Sequence, residues 1–241
     1  MKRLFLCLLF VLAFTIATGF AKPATAPSAP VGKEYIILSG GPSLLFWEKW
    51  KNPPHDKWWM NFIRAAEVRI QELEAQGVAP TQITWLVYQP AYVARSKQEG
   101  QNLLGVIESL HTSLGVNLKY FSRSKEVLGY LNSGKPRDRI KVGGLEYFGH
   151  SNKACWMFDY SNLIDSASKV WIHEDELNQI QPGIFANDAF IKSWGCHTGE
   201  SMSQKFRRFT GMRMWGATGR TQYMTHEVPT LAAPESSKWR Y

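Results

Sequence analysis

Short apolar runs alternate along the chain with stretches in which apolar residues recur every three or four positions. The runs lie near 35–38, 83–88, 117–121, 145–149, 190–195 and 212–217, and their length is typical of buried β-strands. The periodic stretches predict helices over about 57–76, 98–114, 124–131 and 201–209, with a further helix opening at 172–177. Strands and helices in this alternation predict a three-layer αβα domain around a doubly wound, mostly parallel sheet.

Both ends of the chain differ from this pattern. Lys2 and Arg3 precede an apolar stretch up to Ala17, and Gly19 and Ala21 are small residues at the positions that a signal peptidase recognises. Residues 1–21 are therefore predicted to be a signal peptide, and the Pro- and Ala-rich residues 22–33 an extended linker. The α/β domain is predicted to span 34–228, followed by a C-terminal tail over 229–241.

The predicted signal peptide implies export, to the periplasm or out of the cell. The alternative is an uncleaved membrane anchor. No other run approaches the 18 apolar residues that mark a spanning helix, so we expect no stable membrane insertion after cleavage.

Charge narrows the class of partner only slightly. The chain carries a net charge of +8, and loss of Lys2 and Arg3 with the signal peptide leaves 26 basic against 20 acidic residues, or +6. A moderately basic surface suits anionic partners in general. Because no Lys/Arg run is interleaved with aromatic residues, we predict no nucleic-acid partner and expect solvated surface charge. The oligomeric state is not indicated.

Two of the apolar runs end in a glycine followed directly by a reactive side chain. Residues 145–151 (LEYFGHS) place His150 after a glycine, and residues 190–201 (FIKSWGCHTGES) place Cys196 after another. The carboxyl ends of parallel strands collect at one edge of the sheet, where open α/β folds bind their ligands. If the two strands are neighbours, His150 and Cys196 face each other.

Such a pair has a chemical use. A free thiol, with a pKa of about 8.5, is only slightly ionised at neutral pH. A histidine within hydrogen-bond reach takes the proton and later returns it to the leaving group during acyl transfer. The strand ends therefore suggest a cysteine–histidine dyad, although order and spacing give no distance between the two side chains.

The residues around these strand ends resemble the caspase-hemoglobinase fold group of cysteine peptidases, and most of all its legumain branch. The legumain-like element Cys-x-Ser/Thr-Gly-x-Ser-Met is matched here by Cys196-x-Thr198-Gly199-x-Ser201-Met202. The likeness covers most of the domain, from ILSGG at 37–41 to MWGAT at 214–218. It implies a caspase-like fold and a cysteine endopeptidase or transpeptidase that acts on a peptide or protein and needs no cofactor or metal.

The resemblance also implies roles for residues. His150 would be the general acid/base, and Cys196 the nucleophile that forms a thioester resolved by water. The backbone N–H groups of Cys196 and Ser151 would hold the oxyanion. The family has glycine where this chain has Ser151. The N–H of serine would therefore have to hold the oxyanion without the positive φ that glycine permits.

Three further residues are candidates for substrate binding. Gly40 and Gly41 follow the first strand in a turn that lets the backbone pass close to another group. Trp194 stands two positions before the nucleophile, where legumains carry an acidic residue of their asparagine pocket. A preference for asparagine is therefore not transferred, and Trp194 provides either an apolar wall or a packing contact.

Other interpretations stay open at this stage. Without Cys7, which falls in the signal peptide, Cys155 and Cys196 remain, and a cysteine pair in an oxidising compartment suggests a disulfide. That pairing would fit a non-catalytic binding or scaffold protein whose interface is the edge rich in tryptophan around Trp47, Trp50, Trp58 and Trp59. Zinc held by these cysteines with His150 and His197 is disfavoured, because their spacing matches no zinc ribbon or finger.

Overall fold

A seven-stranded sheet forms the middle of the structure, a computed structural model that describes residues 32–48, 58–160 and 168–241. Its strands are β1 (Gly32–Ser39), β2 (Ile83–Tyr88), β3 (Asn117–Phe121), β4 (Ile140–Phe148), β8 (Phe185–Ser193), β9 (Met214–Ala217) and β12 (Trp239–Arg240). Their order is β12-β9-β8-β4-β1-β2-β3, and every pairing is parallel except that of β9 with β12.

Helices cover both faces of this sheet. They are α1 (Leu45–Glu48), α2 (Asn61–Ala75), α3 (Gln89–Glu99), α4 (Leu103–Leu114), α5 (Ser124–Ser133) and α6 (Met202–Thr210). Alternate residues of a strand point to opposite faces, and this divides the core in two. Ile37 packs with α2 and α4 on one face, whereas Ile36 and Leu38 pack with α5 and α6 on the other. The predicted three-layer α/β fold is confirmed.

Two small sheets are inserted in the chain between strands of the main sheet. Strands β5 (His150–Ser151), β6 (Cys155–Met157) and β7 (Trp171–His173) form an antiparallel sheet, and β10 (Thr221–Gln222) pairs with β11 (Thr230–Leu231). Short 3₁₀ helices cover Pro80–Gln82, Glu174–Gln179 and Pro182–Ile184.

The strand order explains where a site can form. The chain runs outward from β1 through β2 to β3, then returns across β1 to add β4, β8 and β9 on its other side. The winding therefore reverses between β1 and β4, and such a reversal opens a crevice at the carboxyl ends of the strands. The segment after β1, His150 after β4 and Cys196 after β8 all begin at this edge.

Some predicted elements differ from the structure. The single helix expected over 98–114 begins only at Leu103, and a separate helix, α3, ends at Glu99, followed by Gly100, whose φ of 66° is left-handed. The helix expected at 172–177 is instead strand β7 followed by a 3₁₀ helix, because 171–173 pair with β6. That pairing and β5 also order part of the loop expected over 151–169.

The predicted domain limits change at both ends. Gly32 and Lys33, assigned to the linker, belong to β1, while the signal peptide and residues 22–31 lie outside the described residues. The segment 229–241, expected to be a tail, contributes β11 and the edge strand β12. Trp239 of β12 also packs edge-on against Trp194, at 5.4 Å between ring centroids.

Candidate active site

The ends of β4 and β8 touch just beyond the sheet. The two strands are parallel neighbours, with Tyr147 in register with Ser193. The hydroxyl of Ser151 donates a hydrogen bond to the carbonyl oxygen of Cys196 at 2.7 Å. A Cβ at Gly195 would lie 2.1 Å from Ser151 Oγ and 2.9 Å from the carbonyl oxygen of Gly149. A glycine before the cysteine is therefore required for this close approach.

His150 is partly buried between two aromatic rings. Its imidazole lies edge-on to Phe62 at 4.9 Å and tilted against Tyr160 at 4.6 Å between centroids. Its Nε2 atom is 3.4 Å from the hydroxyl oxygen of Ser43, which follows β1. The imidazole is thus flanked by groups from α2, from the segment after β6 and from the segment after β1.

The hydroxyl of Tyr147 fixes the backbone of His150 by a hydrogen bond to its carbonyl. The buried phenol of Tyr147 has its oxygen 2.6 Å from the carbonyl of His150 and 2.9 Å from that of Met157, and it donates its proton to these two acceptors. Burial raises the pKa of Tyr147 well above its usual value, so it remains a donor. Because a Cβ at Gly149 would meet the Tyr147 hydroxyl at 2.3 Å, glycine is required there too.

Cys196 is partly buried and its thiol is free. The N–H of Thr221 donates to Sγ at 3.4 Å, and Oγ1 of Thr221 is 3.6 Å from the same sulfur. The next residue, His197, is the one described non-glycine residue with a positive φ, at 62°. Histidine adopts this left-handed region more readily than most residues do. The chain therefore turns sharply after the sulfur.

The imidazole of His150 and the thiol of Cys196 come to the same edge of the sheet but are not hydrogen-bonded to each other in this structure. Tyr160 lies near both, since its ring contacts the imidazole and the pKa of its hydroxyl responds to a charge on Cys196. Burial, with the charges of Cys196 and Cys155, raises the pKa of Tyr160 to about 12. Catalytic hydrogen bonds often tighten only when substrate binds.

Ser151 fits the place where the resemblance has glycine. Its φ is not in the left-handed region, so serine is accommodated there without backbone strain. Asn152 donates its N–H to Cys155 across the β5–β6 pair, and antiparallel pairs alternate between bonded and non-bonded positions. The Ser151 N–H is thus left outside the β5–β6 ladder. The N–H of Cys196 forms no backbone hydrogen bond to any residue in the described ranges.

Gly40 and Gly41 are buried, and their backbone groups are already used. Gly40 donates to the carbonyl of Phe148, and Gly41 donates to that of Phe158. A Cβ at Gly41 would lie 2.1 Å from the Cβ of Ala91. The two glycines let the turn after β1 pack against its neighbours, and Ser43, slightly further on, is the residue of this turn that reaches the histidine.

Trp194 is buried in the core. Its ring stacks on Phe148 at 5.8 Å, and its indole N–H donates to the carboxylate of Glu146 at 2.9 Å. Arg69 binds the other oxygen of Glu146 at 2.7 Å, and the ammonium of Lys192 lies 3.3 Å from the centroid of the Trp194 ring. Of the two roles open to Trp194, the structure shows the packing contact.

The second thiol, Cys155, is also free, so the disulfide considered above is not formed. Cys155 lies in β6 opposite His173, and its sulfur is near the carboxylates of Glu174 and Glu176. Burial, followed by these two negative charges, raises the pKa of Cys155 to about 11. Cys155 is therefore a protonated thiol at neutral pH and a poor nucleophile.

Several residues of the site were not singled out by the sequence analysis. Each lies on a different segment from its partner, so local pattern gives no signal for it: Ser43, Phe62, Tyr160, Thr221 and Tyr223. Tyr147 alone lay within a motif already quoted, as part of the strand before His150.

Within 32–48, 58–160 and 168–241 there is no group of three or more His, Cys, Asp or Glu side chains placed to hold a metal ion. Of the helices in those ranges, none is both long and apolar enough to cross a membrane. Protein-family models, curated proteins and solved structures were compared with the chain, and none matches it.

Proposed function

We propose that this protein is an exported cysteine peptidase that cleaves or transfers peptide bonds through Cys196 and His150. The observation that carries the proposal is the contact between the ends of β4 and β8 at the reversal of the sheet. There the hydroxyl of Ser151 binds the carbonyl of Cys196, and the two strands present a histidine and a free thiol at one edge. The caspase-like resemblance of the sequence supports the same assignment.

The proposed chemistry is acyl transfer through the pair of His150 and Cys196. His150 accepts the thiol proton as it comes within reach, and the thiolate attacks the peptide carbonyl to form a tetrahedral oxyanion. The N–H groups of Ser151 and Cys196 are the proposed donors to that oxygen, and loss of one such donor typically costs about 3 kcal/mol of barrier. His150 then gives the proton to the leaving amine, and water or an acceptor amine resolves the thioester.

The experiment is labelling of the protein, expressed without residues 1–21, by a peptide that carries a thiol-reactive acyloxymethyl ketone. Wild type is compared with Cys196→Ala, His150→Ala and the matched control Cys155→Ala. We expect labelling of wild type and Cys155→Ala, none for Cys196→Ala, and a loss of about a hundred-fold or more for His150→Ala, as for removal of a general base.

Labelling that persists undiminished in His150→Ala would refute the dyad, because the histidine would not activate the thiol. Labelling that follows Cys155 would place the reactive thiol elsewhere. Folding of each variant is checked by its thermal unfolding transition, so that a lost label is not mistaken for a lost fold.

A further inference from the structure

The segment 221–223 contacts both strand ends of the candidate site. The N–H and Oγ1 of Thr221 lie 3.4 and 3.6 Å from the sulfur of Cys196. Two positions later, the hydroxyl of Tyr223 accepts the N–H of Gly149, the residue before His150, at 3.0 Å. One short segment therefore holds the thiol with one residue and the histidine strand with another.

The hairpin of β10 and β11 frees the Thr221 N–H for this contact. Ala232 donates its N–H to the carbonyl of Arg220 at 3.0 Å, and Thr221 pairs with Leu231. In an antiparallel pair the residue between two bonded positions turns its N–H outward. Thr221 is that residue, so its N–H points away from β11 and reaches the sulfur.

Thr221 surrounds this sulfur with polar groups: its N–H donates to Sγ at 3.4 Å, its Oγ1 lies 3.6 Å away, and its carbonyl oxygen lies 4.0 Å away as an acceptor for the thiol proton. Hydrogen bonds to a charged acceptor are about twice as strong as neutral ones, and a thiolate is a better acceptor than a thiol. Only 7% of the Thr221 surface is exposed, so water competes weakly for its two donors. This contact acts on Cys196 before the imidazole forms any hydrogen bond to the sulfur.

Tyr223 contacts the groups that surround His150. In addition to its hydrogen bond with Gly149, its ring lies edge-on to Phe62 at 4.8 Å. Phe62 in turn lies edge-on to the imidazole of His150 at 4.9 Å. Tyr223 thereby restrains the histidine through its backbone and through the ring that flanks it.

We propose that Thr221 and Tyr223 are the positioning residues of this site, Thr221 for the sulfur of Cys196 and Tyr223 for the imidazole of His150. The inference rests on the proposed function, since it concerns the same thiol and histidine. It extends the site to a third segment that follows β9.

The Thr221 contact is tested by alkylation of Cys196 with iodoacetamide in a Cys155→Ala background. Thr221→Val removes the hydroxyl at nearly constant shape, Thr221→Ser retains it, and Thr230→Val makes the same change at an exposed position of the same hairpin. We expect Thr221→Val to react about five- to ten-fold more slowly at pH 7.5, as loss of one hydrogen bond implies. Its pH–rate profile should move to higher pH, while Thr221→Ser and Thr230→Val behave as wild type.

Equal rates and equal pH profiles in Thr221→Val and wild type would overturn the role of Thr221. A general loss of structure would change the thermal transition and would not be rescued by serine. If Thr221→Val fails to fold, Thr221→Ala gives the same comparison, because it also lacks the hydroxyl.

The Tyr223 contact is tested with Tyr223→Phe, which keeps the ring and removes the acceptor for the Gly149 N–H. We expect iodoacetamide to alkylate Cys196 at the wild-type rate, whereas labelling by the peptide probe, which needs His150, falls several-fold. Unchanged peptide labelling would overturn the role of Tyr223. Peptide labelling that is indifferent to His150→Ala refutes the proposed function instead, and iodoacetamide still reports the Thr221 contact in that case.

Discussion

Replacement of Gly195 by alanine tests the contact that brings the two strand ends together. The added Cβ would lie 2.1 Å from Ser151 Oγ and 2.9 Å from both Ser151 Cβ and the carbonyl oxygen of Gly149. The φ of Gly195 is not in the left-handed region, so alanine suffers no backbone penalty. The entire cost of Gly195→Ala therefore arises from these contacts.

The cost can be divided between the atoms involved. Ser151 Oγ can rotate away, but it then gives up its hydrogen bond to Cys196, worth about 1 kcal/mol. The Cβ of Ser151 and the carbonyl of Gly149 cannot rotate away, and forced overpacking of this kind costs about 1–3 kcal/mol. We expect Gly195→Ala to lower the free energy of unfolding by about 3 kcal/mol.

A double-mutant cycle separates this contact from a general disturbance. Ser151→Gly removes two of the three crowded atoms, at its own cost of about 1–2 kcal/mol for the lost hydrogen bond and the added backbone freedom. The double variant should then be about 1–2 kcal/mol more stable than the sum of the single changes predicts. Urea unfolding followed by tryptophan fluorescence measures all four proteins.

The control is Gly129→Ala. Gly129 is an exposed position of α5, where an added Cβ meets no atom within 4 Å. Alanine there should stabilise the protein by about 0.5–1 kcal/mol, because glycine is the weaker helix former. Additivity of Gly195→Ala and Ser151→Gly to within about 0.5 kcal/mol would refute the packing described for the strand ends.

Three further predictions follow from ionisable groups. At pH 8 iodoacetamide should modify Cys196 well before Cys155, since burial raises the pKa of Cys155 to about 11 and leaves about one thiolate in a thousand; equal modification in peptide mass spectra would contradict this. Burial, in spite of Glu146, lowers the pKa of Lys192 from 10.5 to about 8, so the unfolded chain binds more protons between pH 8 and 10. The free energy of unfolding of wild type, measured in urea, should therefore rise with pH relative to that of Lys192→Met. The same pH dependence in both proteins would contradict the lowered pKa of Lys192. Arg95→Met should cost about 3–5 kcal/mol in thermal or urea unfolding, because the buried carboxylate of Glu48 loses a partner that binds both its oxygens; a change below about 1 kcal/mol would show that the pair is hydrated.

Sequence pattern predicted the strands better than the helices. Strand β2 was located at 83–88 because all six of its residues are buried between two helical layers, so the apolar run is unbroken. The helix α3 was missed because its sequence is polar and only Ala91, Tyr92 and Arg95 are buried. Strand β7 was taken for a helix because its pairing with β6 is a long-range contact that local composition does not reveal.

The same limit applies to the site. His150 and Cys196 could be placed at one edge of the sheet because each follows the carboxyl end of a parallel strand, β4 and β8. Ser43 and Thr221 reach the imidazole and the sulfur only after separate loops have packed together. Their positions depend on tertiary contacts such as the hydrogen bond from the buried Arg95 to the carbonyl of Ser43, for which no periodic pattern exists.

The serine that follows His150 has a physical role in this arrangement. A glycine there could offer the same backbone N–H, but it would have no side chain to bind the carbonyl of Cys196. Ser151 adopts an ordinary φ, so its N–H is oriented without strain while its hydroxyl fixes the backbone of Cys196. Gly195 supplies the space that this side chain fills. Ser151 and Gly195 are thus a matched pair, in which the side chain that follows His150 is accommodated by the missing side chain before Cys196.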